Sequence, residues 1–164
     1  MRIYGVTGWK NAGKTTMVER LVTEITTRGF TVSTVKHAHH GADVDHPGRD
    51  SHRHRTAGAR EVMVSSPHRW ALMHELRGAA EPSLDALLAR LSPVDLVLIE
   101  GYKREPHPKI EVNRASLSHP MMAGENPTIR ALAADGAAAP DGLPRFDIDD
   151  ISGIADFILR EVGL

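Results

Sequence analysis

Near the start of the chain, the residues Gly8-Trp9-Lys10-Asn11-Ala12-Gly13-Lys14-Thr15 have the types and spacing that bind a phosphate chain. Gly8 and Gly13 let the backbone turn tightly and aim its N–H groups inward, which forms a nest for phosphate oxygens. Lys14 puts a compact positive charge where β- and γ-phosphates would sit. The Thr15 hydroxyl is a hard oxygen donor suited to Mg²⁺, and Thr16 follows it at the first turn of a helix, whose N–H groups and dipole also favour an anion. Lys10, Asn11 and Ala12 complete the loop and count as nucleotide contacts. Lys10 is also a candidate to reach the nucleotide of a second copy of the chain.

Three further groups carry chemistry. Glu100 ends an apolar run, Leu96-Val97-Leu98-Ile99, as the acid of a second phosphate-loop motif does, and there it would share Mg²⁺ with Thr15. Residues 36–53 form a polar stretch with Gly and Pro punctuation. Lys36, His37, Arg49 and Arg53 are its candidates for the nucleotide, and Asp43, Asp45 and Asp50 its candidates for metal or for orienting a water. Asp45 and Asp50 are taken as the catalytic pair. At this position the stretch is expected to be a switch that orders around a γ-phosphate. Of ten histidines, six lie between His37 and His54. His37, His39 and His40 invite a zinc reading, but the neighbouring cations repel a dication and no thiolate is present.

These groups need elements to hold them. Residues 2–7 read as a strand, 15–28 as a helix with Met17, Val18, Leu21, Val22 and Ile25 on one stripe, and 30–35 as a second strand. A short helix is expected up to Ala59, capped by Asp50 or Ser51. Segments 61–65 and 69–76 read as a strand pair, and Ser83 caps a helix with Leu84, Leu87, Leu88 and Leu91. Strands are expected at 95–99, 109–113 and 129–134, with a loop over 136–144 and a final helix capped by Asp149 or Asp150. The fold class expected is α/β, a phosphate-loop NTPase type in three layers. Its central sheet should be mixed but mostly parallel, of about seven strands, with the glycine loop at its carboxyl edge.

Composition excludes much else. The chain has 164 residues, which suits one domain over 1–164, and a net charge of −1 from 20 Lys+Arg and 21 Asp+Glu. Bulk charge therefore argues for neither nucleic acid nor membrane, and the few aromatics argue against a single-strand stacking surface. With no cysteine there are no disulfides or thiolate sites. The chain opens on a strand with no cleavable signal, so a cytoplasmic protein is expected.

Four segments in order resemble one family. They are Gly8 to Thr16, then Val35-Lys36-His37-Ala38-His39-His40, then Asp45-His46-Pro47-Gly48-Arg49-Asp50-Ser51 with Arg53 and Ala57-Gly58-Ala59, then Leu98-Ile99-Glu100-Gly101-Tyr102-Lys103. Together they resemble molybdopterin-guanine dinucleotide biosynthesis protein B, up to about Asn113. The resemblance implies a cytoplasmic GTP-binding homodimer with weak GTPase activity and Mg²⁺. It also implies a partner, the enzyme that transfers GMP to molybdopterin, and molybdopterin itself as a further ligand. The usual guanine-reading tetrapeptide is absent, and Asp135, at the end of a late strand, is the one residue placed near a base. No Gln follows Glu100 to orient a water, which fits slow hydrolysis. The alternative is a small-molecule or nucleotide kinase with Arg49, Arg53 and Arg55 in its lid.

Overall fold

The computed structural model describes residues 1–38, 44–136 and 138–164. Strand β1 (Arg2–Thr7) is buried from Tyr4 onward and runs straight into the glycine loop. Helix α1 (Lys14–Thr27) buries Met17, Val18, Leu21 and Ile25, the stripe that helical periodicity requires. Strand β2 (Val32–Lys36) and, later in the chain, β5 (Leu96–Glu100), β6 (Lys109–Asn113), β7 (Ile129–Ala134) and β8 (Arg145–Asp147) complete a six-stranded sheet. Its order is β2-β5-β1-β6-β7-β8 and every pairing is parallel. Helix α4 (Ile151–Val162) is capped by the Asp150 carboxylate, which accepts from the Gly153 N–H at 3.0 Å. It lies beside α1, and the two are joined by the pairs Arg20–Asp149 and Arg28–Asp156. Ile154, Ala155, Ile158 and Leu159 of α4 share one core with α1 and with Tyr4, Val6, Leu96, Leu98, Ile110 and Val112.

The chain divides into two compact units, one of Met1–His37 and Leu91–Leu164 and the other of Ala38–Arg90. The latter holds helix α2 (Asp50–Thr56), the hairpin of β3 (Glu61–Ser65) and β4 (Trp70–His74), and helix α3 (Leu84–Leu88).

The α/β class and the glycine loop at the carboxyl edge of a parallel sheet are as expected. The details differ. Two of the seven expected strands, β3 and β4, pair antiparallel as a separate two-stranded sheet, so the main sheet is parallel rather than mixed. β8, in the short stretch between the expected loop over 136–144 and the helix cap, was not expected and brings the main sheet to six strands. The Ser83 cap is present, accepting from the Ala86 N–H at 3.2 Å. At α2 the capping position is Arg49, without a side-chain bond, and Asp50 is the first helical residue. No helix of the described residues is long and apolar enough to cross a membrane.

His107 shows what the sheet demands. It is buried, and neither ring nitrogen finds a hydrogen-bond partner among the described residues. Its ring presses on β1, where a Cβ at Gly5 would lie 2.6 Å from Nε2. Burial, aided by the Lys109 ammonium, pushes its pKa down to about 4. Between about 6.5 and 4 the unfolded chain therefore binds a proton that the folded chain refuses. Stability should be full above pH 6.5 and fall as pH drops towards 4, by up to about 3 kcal/mol. Urea melts of the parent and of His107→Leu across pH 4.5–7.5 check this: the variant should show a flatter dependence.

Candidate functional site

All six parallel strands deliver their carboxyl ends to one edge. β1 leads through α1 to β2 on one side, while β5 leads to β6 across β1 on the other. Ligands bind at such a switch of direction. The glycine loop sits there. Gly8 has φ 149°, Asn11 65° and Gly13 96°, so three loop residues hold left-handed backbone. Gly8 could not be otherwise, since a Cβ there would stand 2.5 Å from the Val112 carbonyl oxygen of β6. Gly13 is the N-cap of α1. That helix end has no side-chain cap and no acid in its first turn, and among the described residues no hydrogen bond is recorded for the N–H groups of Lys14, Thr15 and Thr16, an arrangement that suits an anion.

Around the loop the structure brings together Lys14, Thr15, Lys36 and Glu100. Thr15 Oγ1 donates to Glu100 Oε1 at 2.9 Å. Lys36 Nζ donates to Thr15 Oγ1 at 3.1 Å and stands 3.3 Å from Glu100 Oε1. Lys14 Nζ donates to the Trp9 carbonyl at 2.8 Å. Burial holds the Lys14 ammonium below its ordinary pKa; Lys103 and Lys36 add to this, while Glu100 opposes it. Three ammonium groups, those of Lys14, Lys36 and Lys103, thus act together at the loop, where Glu100 is the one acid acting on Lys14. The resulting potential suits a polyanion.

The remaining expected residues are placed as follows. Lys10 and Asn11 are exposed on the loop, Ala12 is buried beneath it, and Thr16 is exposed on the first turn of α1. The His37 N–H donates to the Glu100 carbonyl at 3.0 Å, and its ring lies 4.7 Å from that of Tyr102. Asp135 is committed locally: one oxygen accepts from the Ala115 N–H at 2.7 Å, the other from Arg114 Nη1 at 3.3 Å. These bonds, the backbone one first, keep its carboxyl below the usual range. Its link to the loop is through Arg114, whose guanidinium would lie 3.4 Å from a Cβ on Gly13.

Asp45, Arg49 and Asp50 belong to the second unit. There the buried Asp45 carboxylate pairs with Arg55 at 2.7 Å, and that guanidinium holds its pKa down. Asp50 is exposed, 3.8 Å from Arg53. His39, His40 and Asp43 lie outside the described residues. Among the described residues no three His, Cys, Asp or Glu side chains gather as a metal site. Two cations at the loop escaped the sequence reading, Lys103 and Arg114. Lys103 lies with its Nζ 4.1 Å from the centre of the Trp9 ring. The available signal was position, since each follows closely on a strand that ends beside the loop.

Residues 3–135 match the family described as molybdopterin guanine dinucleotide synthesis protein B. The chain is 38% identical over 155 residues to the molybdopterin-guanine dinucleotide biosynthesis adapter protein of Escherichia coli strain K12, covering 93% of this chain and 88% of that one. It is equally, 38%, identical over 158 residues to the protein of that name from Haemophilus influenzae, covering 95% and 86%. The crystal structure of Bacillus subtilis MobB superposes with a TM-score of 0.78 at 27% identity, covering 99% of this chain and 98% of that one.

Proposed function

The chain belongs to the molybdopterin guanine dinucleotide synthesis protein B family, and from that premise we propose that it is a GTP-binding adapter. In this reading it assists the cytoplasmic enzyme that attaches GMP to molybdopterin. The observation that carries the reading is the cluster of Lys14, Lys36, Thr15 and Glu100 around an uncapped helix end. It supplies what a triphosphate needs: free N–H donors, ammonium groups and a hard-oxygen pair. Lys36 Nζ already bridges Thr15 Oγ1 and Glu100 Oε1. A cation is thus accepted at the point where the two oxygens would hold Mg²⁺. When bound, the metal would neutralise phosphate charge.

The same residues suit binding better than turnover. Gly101-Tyr102-Lys103 follows Glu100, with positive φ at Gly101 and Tyr102 and no Gln to orient a water. Slow hydrolysis is part of the proposal, as is a nucleotide-sensitive stretch over 36–51. The kinase alternative gains no support from the arginines among the described residues. Of its three lid arginines, Arg55 is paired to Asp45 and Glu75.

A homodimer is also part of the proposal, through the β3–β4 hairpin. Met63, Leu72 and Trp70 are exposed large apolar side chains on it. Met63 stands opposite Leu72, and Trp70 opposite Ser65. A two-stranded sheet is marginal alone in water, so an apolar hairpin calls for a further surface. A second copy supplies one by two-fold pairing of like with like.

Two experiments test these statements. In calorimetric titrations with GTP, Lys14→Ala should cost on the order of 2 kcal/mol of binding while the fold survives. Glu100→Gln should match the parent in EDTA and lose most of the gain that Mg²⁺ brings. A folded Lys14→Ala with parental affinity would remove the loop from the function. For the dimer, light scattering should give twice the chain mass for the parent and a monomer for Met63→Ser with Trp70→Ser; a monomeric parent defeats this part.

A further inference from the structure

Glu111 is an acid in an unusual place. It lies within β6, between β1 and β7, fully buried, in register with Thr7, the last residue before the glycine loop. Its Oε1 accepts from the Met122 N–H at 3.0 Å and its Oε2 from the Ala123 N–H at 2.7 Å. One oxygen for each of two successive backbone donors is how a carboxylate grips a loop. Filling space alone would have been served by an apolar side chain without the desolvation cost.

The gripped segment reaches the phosphate loop. The Pro120 carbonyl accepts from Trp9 Nε1 at 2.7 Å, and the His119 ring stacks on the indole with centroids 5.1 Å apart. Trp9 in turn presents its carbonyl to Lys14 Nζ at 2.8 Å and to the Ala12 N–H at 3.2 Å. A continuous chain of contacts therefore runs from Glu111 through residues 119–123 and Trp9 to Lys14. The loop it reaches holds left-handed backbone at Gly8, Asn11 and Gly13. Such a conformation persists where its surroundings enforce it.

We propose that Glu111 is a positioning residue for the phosphate loop, acting through the 119–123 segment and the Trp9 indole to hold the loop in its anion-accepting shape. The proposal rests on the reading of that loop as a triphosphate site. Glu111→Gln keeps the shape but turns an amide N–H₂ towards one backbone donor, so one grip is lost. The segment loosens, Trp9 loses its lid, and the nest has to be ordered by the ligand at the expense of affinity.

The test uses the full chain with both of its tryptophans, Trp9 and Trp70, and the Trp9 emission is the difference between each protein and the same protein carrying Trp9→Phe, so that it reports the segment by its fluorescence. GTP with Mg²⁺ is titrated by calorimetry, and thermal unfolding is followed in parallel. Glu111→Gln should bind GTP about tenfold more weakly. Its Trp9 emission should shift to the red and its anisotropy fall before nucleotide is added. Trp9→Phe keeps a ring for His119 and loses the Nε1 donor, so it should weaken binding in the same sense by less. A Glu111→Gln that melts lower but keeps parental affinity and Trp9 emission overturns the proposal, since Glu111 would then support only the fold. If Glu111→Gln does not fold, Trp9→Phe and His119→Ala decide: parental affinity in both overturns it. A parent that binds no GTP defeats the triphosphate reading instead, and the Trp9 emission of Glu111→Gln without nucleotide still decides the latch.

Discussion

One hydrogen bond, Thr15 Oγ1 to Glu100 Oε1 at 2.9 Å, sets the terms for the rest of the molecule. Its two ends are 85 residues apart in sequence. They meet because β1 and β5 are parallel neighbours, with Val6 opposite Glu100. Run antiparallel, β5 would carry its acid to the far edge of the sheet. The same register puts Lys36, at the end of β2, opposite Glu100 on the other side. A parallel sheet requires crossovers, and the α1 crossover that links β1 to β2 is the helix that presents Thr15. Topology and site are thus one requirement: a strand order with β5 between β2 and β1 is what lets a hydroxyl, an ammonium and a carboxylate converge.

Around that bond the charge is unbalanced by design of position rather than by composition. The chain is near neutral, yet Lys14, Lys36 and Lys103 act together at the glycine loop. Like charges raise one another's cost, and Lys14 shows it by losing proton affinity. Its ammonium meanwhile rests on the Trp9 carbonyl, a weak substitute for an anion. A nest of N–H groups, an uncapped helix and crowded ammonium groups are each somewhat unfavourable alone, and a polyphosphate would relieve all of them at once.

Much of this was legible in the residues because it is local. The glycine loop declares itself by spacing, and Glu100 by ending an apolar run whose β-strand is buried on both faces. β6 and β7 begin and end where the pattern places them. What escaped was tertiary. Residues 61–65 and 70–74 look like any strand pair, and nothing in their pattern says that they form a sheet of their own. β8 has only three residues, Arg145–Asp147, too few for a period-two signal, and it is a strand because β7 offers an edge. Asp135 stands at a strand end, as expected, but its oxygens hold Ala115 and Arg114, a commitment visible only once β6 and β7 are neighbours.

β6 carries the sharpest lesson about alternation. Lys109-Ile110-Glu111-Val112-Asn113 reads as a strand with one wet face, yet all five residues are buried, between β1 and β7. Its polar side chains are therefore not solvated; they are occupied. Lys109 Nζ donates to the Glu105 carbonyl and to Thr128 Oγ1, tying together the segments that lead into β6 and β7. Glu111 takes the N–H groups of Met122 and Ala123. Burial pushes the Lys109 ammonium pKa down, opposed by the Glu105 charge, and the Glu111 carboxyl pKa up, opposed first by the backbone N–H groups of Met122 and Ala123. Irregular segments have few other ways to satisfy backbone groups, since they lack ladders of their own. A strand that faces such segments gains more from an acid and a base than from two more aliphatics. The polar positions of β6 are thus the means by which a rigid sheet fixes the irregular chain around its carboxyl edge.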